Sequence, residues 1–199
     1  MILPLPGWVA WPAAGLALAG FAGYARDTWT GRAAPNRVSW VMWASAASIA
    51  AAAGWAQGLP PRQVAVTAAL GLGPAVVALL ALRVPAALRE PLSGWHWCCG
   101  FLSALALGAW LGAGRGRVAV ILAVGADLAA ALPTIGHAWA DPDGETPGTY
   151  LASATAAVLA MATLPQWGLA AWFPAYAAAV CALIAALVVR PRRKHWLFR

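Results

Sequence analysis

The chain has 199 residues, 62% of them hydrophobic and only 10% charged, with a formal net charge of +7 and a mean hydropathy of +0.71. A soluble domain covers itself with about 25% charged residues, and a disordered chain is polar and poor in aromatics. A sequence this apolar, with 13 Trp, belongs to neither class. At ~20 residues per membrane-spanning helix, seven spans take roughly 140 residues and leave no room for a separate soluble domain. The expectation is a single all-α integral membrane domain.

Apolar runs between punctuation predict seven spans, at about 8–25, 38–57, 63–83, 95–113, 117–139, 148–165 and 168–190. No Lys or Arg occurs in the first 25 residues, so a secretory signal with a basic start is not expected and the opening run is read as a span. A loop with Arg26, Asp27, Gly31, Arg32, Pro35 and Arg37 follows it. Tandem Pro60-Pro61, which cannot continue a helix, separates the second span from the third. The third loop, 83–94, holds Pro85, Arg89, Glu90 and Pro91, and the fourth runs from Gly112 to Arg117. The fifth, Asp141 to Pro147, is the only acidic loop; it lacks the ligand spacing of a calcium loop and reads as a solvated turn. The last two spans form a tight hairpin at Leu164 to Gly168.

Seven spans place the termini on opposite faces. The C-terminal side then collects Arg26, Arg32, Arg37, Arg83, Arg89, Arg190, Arg192, Arg193, Lys194 and Arg199, against Arg62, Arg115 and Arg117 on the other. Ten against three predicts a cytoplasmic C-terminus and an outside N-terminus. The positive balance is thus topology and attraction to anionic lipid, and nucleic acid is not an expected partner. Tryptophans agree: Trp8, Trp11, Trp55, Trp110, Trp167 and Trp172 fall near outer helix ends, and Trp29, Trp40, Trp95, Trp97, Trp139 and Trp196 near inner ones. Trp43, one turn deeper than Trp40, is expected to face the interior. Ala19/Gly23 and Gly108/Gly112 offer small-residue spacings for close helix contact. Cys98, Cys99 and Cys181 form no disulfide framework, and His96-Trp97-Cys98-Cys99 has poor spacing for one metal centre, so packing is expected and neither metal nor cofactor is assigned.

Seven spans invite a division into a first three-helix unit (1–83), a linker helix (95–113), a second parallel three-helix unit (117–190) and a basic tail (191–199). The stretch from Tyr24 to Trp29 precedes a polar loop, Pro35 and a helix opening Ser39-Trp40. The stretch from Thr134 to Trp139 precedes a polar loop, Pro147 and a helix opening Thr149-Tyr150. The shared order of Trp, loop, Pro, hydroxyl and aromatic is the sign of a repeat.

Tyr24-Ala25-Arg26-Asp27, Gly31-Arg32, the run Pro35 to Trp43, Asp127 to Thr134, Ala138 to Glu145 and the Arg-rich tail together resemble a group of uncharacterised bacterial seven-span proteins, over nearly the whole chain. The layout is similar to the SWEET and PQ-loop superfamily of small-solute transporters. That resemblance implies a three-plus-one-plus-three fold in the bacterial inner membrane, N-terminus outside, with the solute as partner and homo-oligomerisation left open. The chain departs from the pattern where SWEET transporters place an Asn in each of two helices for the sugar: its single Asn, Asn36, is in a loop. The PQ pair is replaced by Gly23-Tyr24 in the first unit and Pro133-Thr134 in the second. Pro133 matches one hinge proline, and Pro74 kinks the third span instead.

Asp127 is the leading site candidate, because it lies near the middle of the fifth span among apolar residues. Intramembrane acids are costly and functional by default. With no mid-membrane Lys or Arg to pair with, it reads as a neutral or proton-exchanging carboxyl. Thr134 shares its helix face, His137 lies one turn beyond, and Pro133 frees the Ala129 carbonyl, so these groups line a candidate polar path toward the cytoplasm. Trp43 and Tyr176 are further lining candidates. The structural alternative is that Asp127 ties helices together through Ser, Thr or Trp, and that Trp43 only packs. Against Arg26, Arg32 and Arg37, the acidic loop forms a candidate cytoplasmic latch. Three function classes remain: a small-solute carrier of alternating access, a membrane-embedded enzyme on a lipid-soluble substrate such as a terpene cyclase, and an assembly or sensor subunit. A retinal-type pump is excluded because the only Lys, Lys194, is in the tail.

Overall fold

The computed structural model describes residues 4–56, 59–83, 92–112, 117–164 and 171–190. Those residues form seven α-helices and no strand: α1 (Ala10–Trp29), α2 (Arg37–Ala56), α3 (Pro61–Ala81), α4 (Gly94–Gly112), α5 (Arg117–Ala140), α6 (Pro147–Ala162) and α7 (Trp172–Val189). The expected elements are all present, shifted by a few residues at their ends. Residues Gly7–Val9 make a 3₁₀ turn before α1. Arg26 and Asp27, assigned to a loop from their charge, continue α1, which stops where Gly31 takes φ 74°. Helix α2 starts where it does because Asn36 caps it: its Oδ1 accepts the N–H groups of Val38 and Ser39, both at 3.1 Å. Pro61 and Pro147 occupy the first helical positions of α3 and α6, each after an extended residue. The hairpin expected at Leu164 to Gly168 and the basic tail lie outside the described residues, apart from Leu164.

Two of the helices, α3 and α7, are long and apolar enough to cross a membrane. Large apolar side chains lie on the outside of the bundle as well as in its core, and several polar ones are buried. Leu72, Leu79, Phe101, Leu105 and Leu151 are exposed, while Asn36, Ser39, Thr134 and Thr149 are buried to within 1%. Trp8, Trp11, Trp29, Trp55, Trp95, Trp97, Trp139 and Trp172, all at or near helix ends, are more than half exposed. Trp40 breaks that pattern and corrects the expectation of an interfacial ring. It is fully buried, tilted on Tyr24 at 4.5 Å and edge-on to both Phe21 and Trp43.

Close helix contacts use other glycines than the expected ones. Added Cβ atoms at Gly23, Gly108 and Gly112 would meet nothing within 4 Å. At Gly20 a Cβ would come within 2.7 Å of Ala152 on α6, at Gly71 within 2.7 Å of Ser48 on α2, and at Gly73 into the Phe21 ring of α1. The approach at Gly20 also brings the Thr149 hydroxyl to the Gly20 carbonyl, to which it donates at 2.7 Å.

Packing follows a regular order. Helix α3 lies between α1 and α2, and α7 lies between α5 and α6. Across these groups α1 packs on α6 and α2 on α5, while α4 rests on α5 and α2. The α1–α2 and α5–α6 loops meet at one end of the bundle, where the Ala34 N–H donates to the Gly144 carbonyl at 3.0 Å. Helices α1 and α5 therefore run in the same direction.

Candidate functional site

A cavity opens at the centre of this packing, and among the described residues every helix except α4 contributes to its wall. Phe21 comes from α1, Trp40, Trp43 and Ala47 from α2, and Leu70 and Pro74 from α3. Asp127 comes from α5, Thr149, Tyr150 and Ser153 from α6, and Phe173, Ala177, Val180 and Cys181 from α7. The space open to water centres is ≈ 60 Å³. One water needs about 10–15 Å³ on this measure and about 30 Å³ of liquid, so the cavity has room for on the order of five waters, or roughly 150 Å³ of ligand. That is below the roughly 300–1,000 Å³ of a drug-sized site, so the cavity suits a small molecule.

Among the described residues Asp127 is the only carboxylate on the wall. Its polar neighbour is the Tyr176 hydroxyl on α7, with Cys181 also close by. The Tyr176 hydroxyl is buried and approaches the carboxyl without completing a hydrogen bond of proper geometry. Ser153 Oγ, also on the wall, is buried without a hydrogen-bond partner. Native interiors satisfy the large majority of buried polar side chains, so such an atom beside a cavity marks a place for a ligand or water.

One end of the cavity is closed by a second polar cluster. Glu145, 5% exposed, accepts the hydroxyls of Tyr24 at 2.9 Å and Tyr150 at 2.6 Å on one oxygen, Oε2. Tyr150 belongs to both places, with its ring on the cavity wall and its hydroxyl on Glu145. Below it, Thr146 Oγ1 donates to Asp27 Oδ2 at 3.0 Å, and Arg32 Nη2 lies 2.8 Å from Asp27 Oδ1. The two loops are thus tied through α1 to α6 contacts. Arg26 and Arg32 of the expected latch pair with Asp27, near the end of α1.

Of the residues expected from sequence, Asp127, Trp43 and Pro74 are on the wall, and Tyr176 stands beside Asp127. Thr134 and Pro133 are fully buried but lie outside the wall, and His137 packs its Nε2 against Gly144, where a Cβ would come within 2.7 Å. The structure thus places Thr134 and His137 outside the cavity that Asp127 lines. Sequence reasoning missed Trp40 and Tyr150 as wall residues and the whole Tyr24–Glu145–Tyr150 cluster. The reading of Glu145 as part of a solvated turn is corrected: two tyrosine donors five and 121 positions away make its burial possible. The Ser39-Trp40 and Thr149-Tyr150 repeat carried a usable signal, since both aromatic partners reach the same cavity. Nothing in the loop's composition marked Glu145.

Among the described residues no group of three or more His, Cys, Asp or Glu is arranged to hold a metal ion, and His96 Nδ1 is engaged by Ser93 at the start of α4. No family model, curated protein or solved structure matches this chain.

Proposed function

We propose that the chain is a small-solute membrane carrier of three-plus-one-plus-three architecture, with all seven helices spanning the bacterial inner membrane and the solute held in the cavity next to Asp127. The observation that carries this reading is the composition of the wall: three helices from each half contribute, and the linker α4 does not. Support also comes from the packing order, in which α3 sits between α1 and α2 as α7 sits between α5 and α6. The cross-contacts α1 to α6 and α2 to α5 exchange under the same equivalence. Parallel α1 and α5 fit a repeat related by an axis along the membrane normal. The outward-facing Leu and Phe side chains suit lipid, and the exposed terminal Trp rings suit the two interfaces. Arg26, Arg32, Arg37, Arg83 and Arg190 gather at the end closed by Glu145, which makes that end cytoplasmic.

In this reading the Tyr24–Glu145–Tyr150 cluster and the loop ties form the closed cytoplasmic gate, and Pro74 and Pro133 interrupt their helices' backbone bonding where units would bend. The test is solute counterflow in proteoliposomes, over sugars, amino acids, vitamins and amines. Wild type is expected to exchange at least one class, and Asp127→Asn to lose it at least tenfold. Unchanged exchange by Asp127→Asn refutes the role given to Asp127.

A second reading has one observation behind it. Aromatic faces around a single acid are also what a carbocation-forming enzyme such as a terpene cyclase requires. The cavity volume argues against a polyprenyl chain, and the wall has no second acid. Product formation from a polyprenyl substrate by the purified chain decides in its favour.

A further inference from the structure

We propose that the cavity is a binding site for a small organic ammonium ion, which replaces a proton on Asp127. The transport consequence, exchange of protons for organic cations, rests on the carrier reading above; the binding chemistry does not.

Three features of the wall select the ligand. The first is its aromatic surface. Phe21, Trp40, Trp43, Tyr150 and Phe173 reach the space from four helices. Trp40 meets Phe21 at 84° and Trp43 at 82°, so the rings turn corners around the space instead of stacking. Aromatic faces are negative, and cages of them hold ammonium groups within about 6 Å of ring centroids. The second is charge. Among the described residues the wall holds one carboxylate and no basic side chain, which repels anions and leaves a cation as the complementary ligand. The third is the shortage of free hydrogen-bonding groups. Thr149 Oγ1 is already committed to the Gly20 carbonyl, leaving Ser153 Oγ and Trp40 Nε1 as the two buried polar atoms of the described wall residues without a hydrogen-bond partner. A sugar presents many hydroxyls that this wall would leave unsatisfied; an ammonium ion with one polar substituent matches it.

The exchange follows from the same geometry. An ionised carboxylate in apolar surroundings must be neutralised, either by a proton or by a cation. The titratable groups beside Asp127 are Tyr176 and Cys181, both on α7 and neither a source of positive charge. Helices α2 and α4, also packed on α5, put no titratable group next to it among the described residues. Proton and ammonium therefore compete for one carboxylate. One proton leaves for each singly charged cation that enters, and the charge in the cavity is unchanged.

The experiment uses the purified full-length chain in mild detergent, with choline as the cation and 3,3-dimethyl-1-butanol as its neutral isostere. Calorimetry measures binding, and a pH indicator in weak buffer measures proton release. Choline is expected to bind at least tenfold more tightly than the alcohol and to release close to one proton. Its affinity should fall about tenfold for each unit by which the pH is lowered in the range where the carboxyl holds a proton. It should level off at higher pH, where proton release also vanishes. Asp127→Asn should lose choline binding at least tenfold and release no proton, with its thermal unfolding unchanged. Trp43→Ala should weaken choline severalfold while keeping the proton release. Equal binding of the alcohol, or choline binding by Asp127→Asn equal to wild type, overturns the proposal, as does the absence of choline binding to a folded wild-type chain. Choline binding with proton release but no choline counterflow in proteoliposomes refutes the carrier and leaves the ammonium site standing. Counterflow of sugars or anions without choline binding refutes the ammonium site and leaves the carrier.

Discussion

Asp127 and Glu145 are both carboxylates held inside the same helix bundle, and their surroundings have opposite character. Glu145 receives two tyrosine hydroxyls on a single oxygen, one from α1 and one from α6, at the end where two loops are tied together. Asp127 faces aromatic rings and open space, with a tyrosine hydroxyl near it that does not complete a hydrogen bond. Glu145 takes two protein donors on Oε2, which ties the acid to helices α1 and α6. Asp127 lines a cavity, and the proposed ligand would use the capacity that its protein neighbours leave. A buried acid is thus read by what is left over after its protein partners are counted.

Removing each carboxylate is the strongest way to break this contrast. Glu145→Ala leaves the Tyr24 and Tyr150 hydroxyls buried without their acceptor, and the loss of one partner from such a charged cluster costs about 2–4 kcal/mol. The expected result is a marked drop in thermal unfolding temperature in detergent, together with loss of cavity binding, because Tyr150 also forms the wall. Asp127→Asn preserves shape and gives up no completed hydrogen bond, so its stability should stay within about 1 kcal/mol of wild type while ligand binding is lost. If the two variants lose equal stability, Asp127 is a structural tie like Glu145 and the contrast fails.

The contrast was half legible in the sequence. Asp127 stood out because it is the one acid set in a long apolar run, where the cost of a charge is unmistakable. The seven helices were legible for a related reason: proline pairs and charge clusters interrupt apolar stretches of helical length, and Pro61, Pro147 and Asn36 start helices by local chemistry alone. Glu145 was not legible. It sits in a short polar loop that looks solvated, and its partners arrive through the α1 to α6 packing, one of them 121 positions away. The close-contact glycines were hidden in the same way. Gly23 fits a small-residue spacing yet faces open space, whereas Gly73 touches Phe21 because α1 and α3 pack side by side. Periodicity names the face a residue lies on and says nothing of which helix will cover it.

Those glycines give the next largest effect and connect packing to the cavity. Gly73→Ala places a Cβ in the Phe21 ring, and Phe21 is itself on the cavity wall. Overpacking of this kind costs about 1–3 kcal/mol, and a displaced Phe21 ring should also weaken cavity ligands severalfold. Gly23→Ala is the control: with nothing within 4 Å of the new Cβ, it should stabilise α1 by up to about 1 kcal/mol and leave binding unchanged. Equal behaviour of the two variants in unfolding and in ligand titration shows that α1 and α3 do not pack as described.

Smaller still is the hydroxyl that joins the two regions. Tyr150→Phe keeps the ring on the cavity wall and deletes only the 2.6 Å donation to Glu145. Interhelical hydrogen bonds in membrane proteins average about 0.6 kcal/mol and reach about 1.7 kcal/mol, so thermal unfolding should move by a few degrees at most. The Tyr24 hydroxyl remains on the same Glu145 oxygen, which keeps one donor on Oε2. The informative quantity is therefore the coupling. A double-mutant cycle of Tyr24→Phe and Tyr150→Phe should give a loss larger than the sum of the single ones, since only the double variant strips both donors from Oε2. Ligand affinity in Tyr150→Phe should hold within about twofold, because the ring and not the hydroxyl faces the ligand. A tenfold loss of affinity from this single oxygen, with stability intact, would place the gate and the binding site in one cooperative unit. The role proposed for Asp127 would then extend to Glu145.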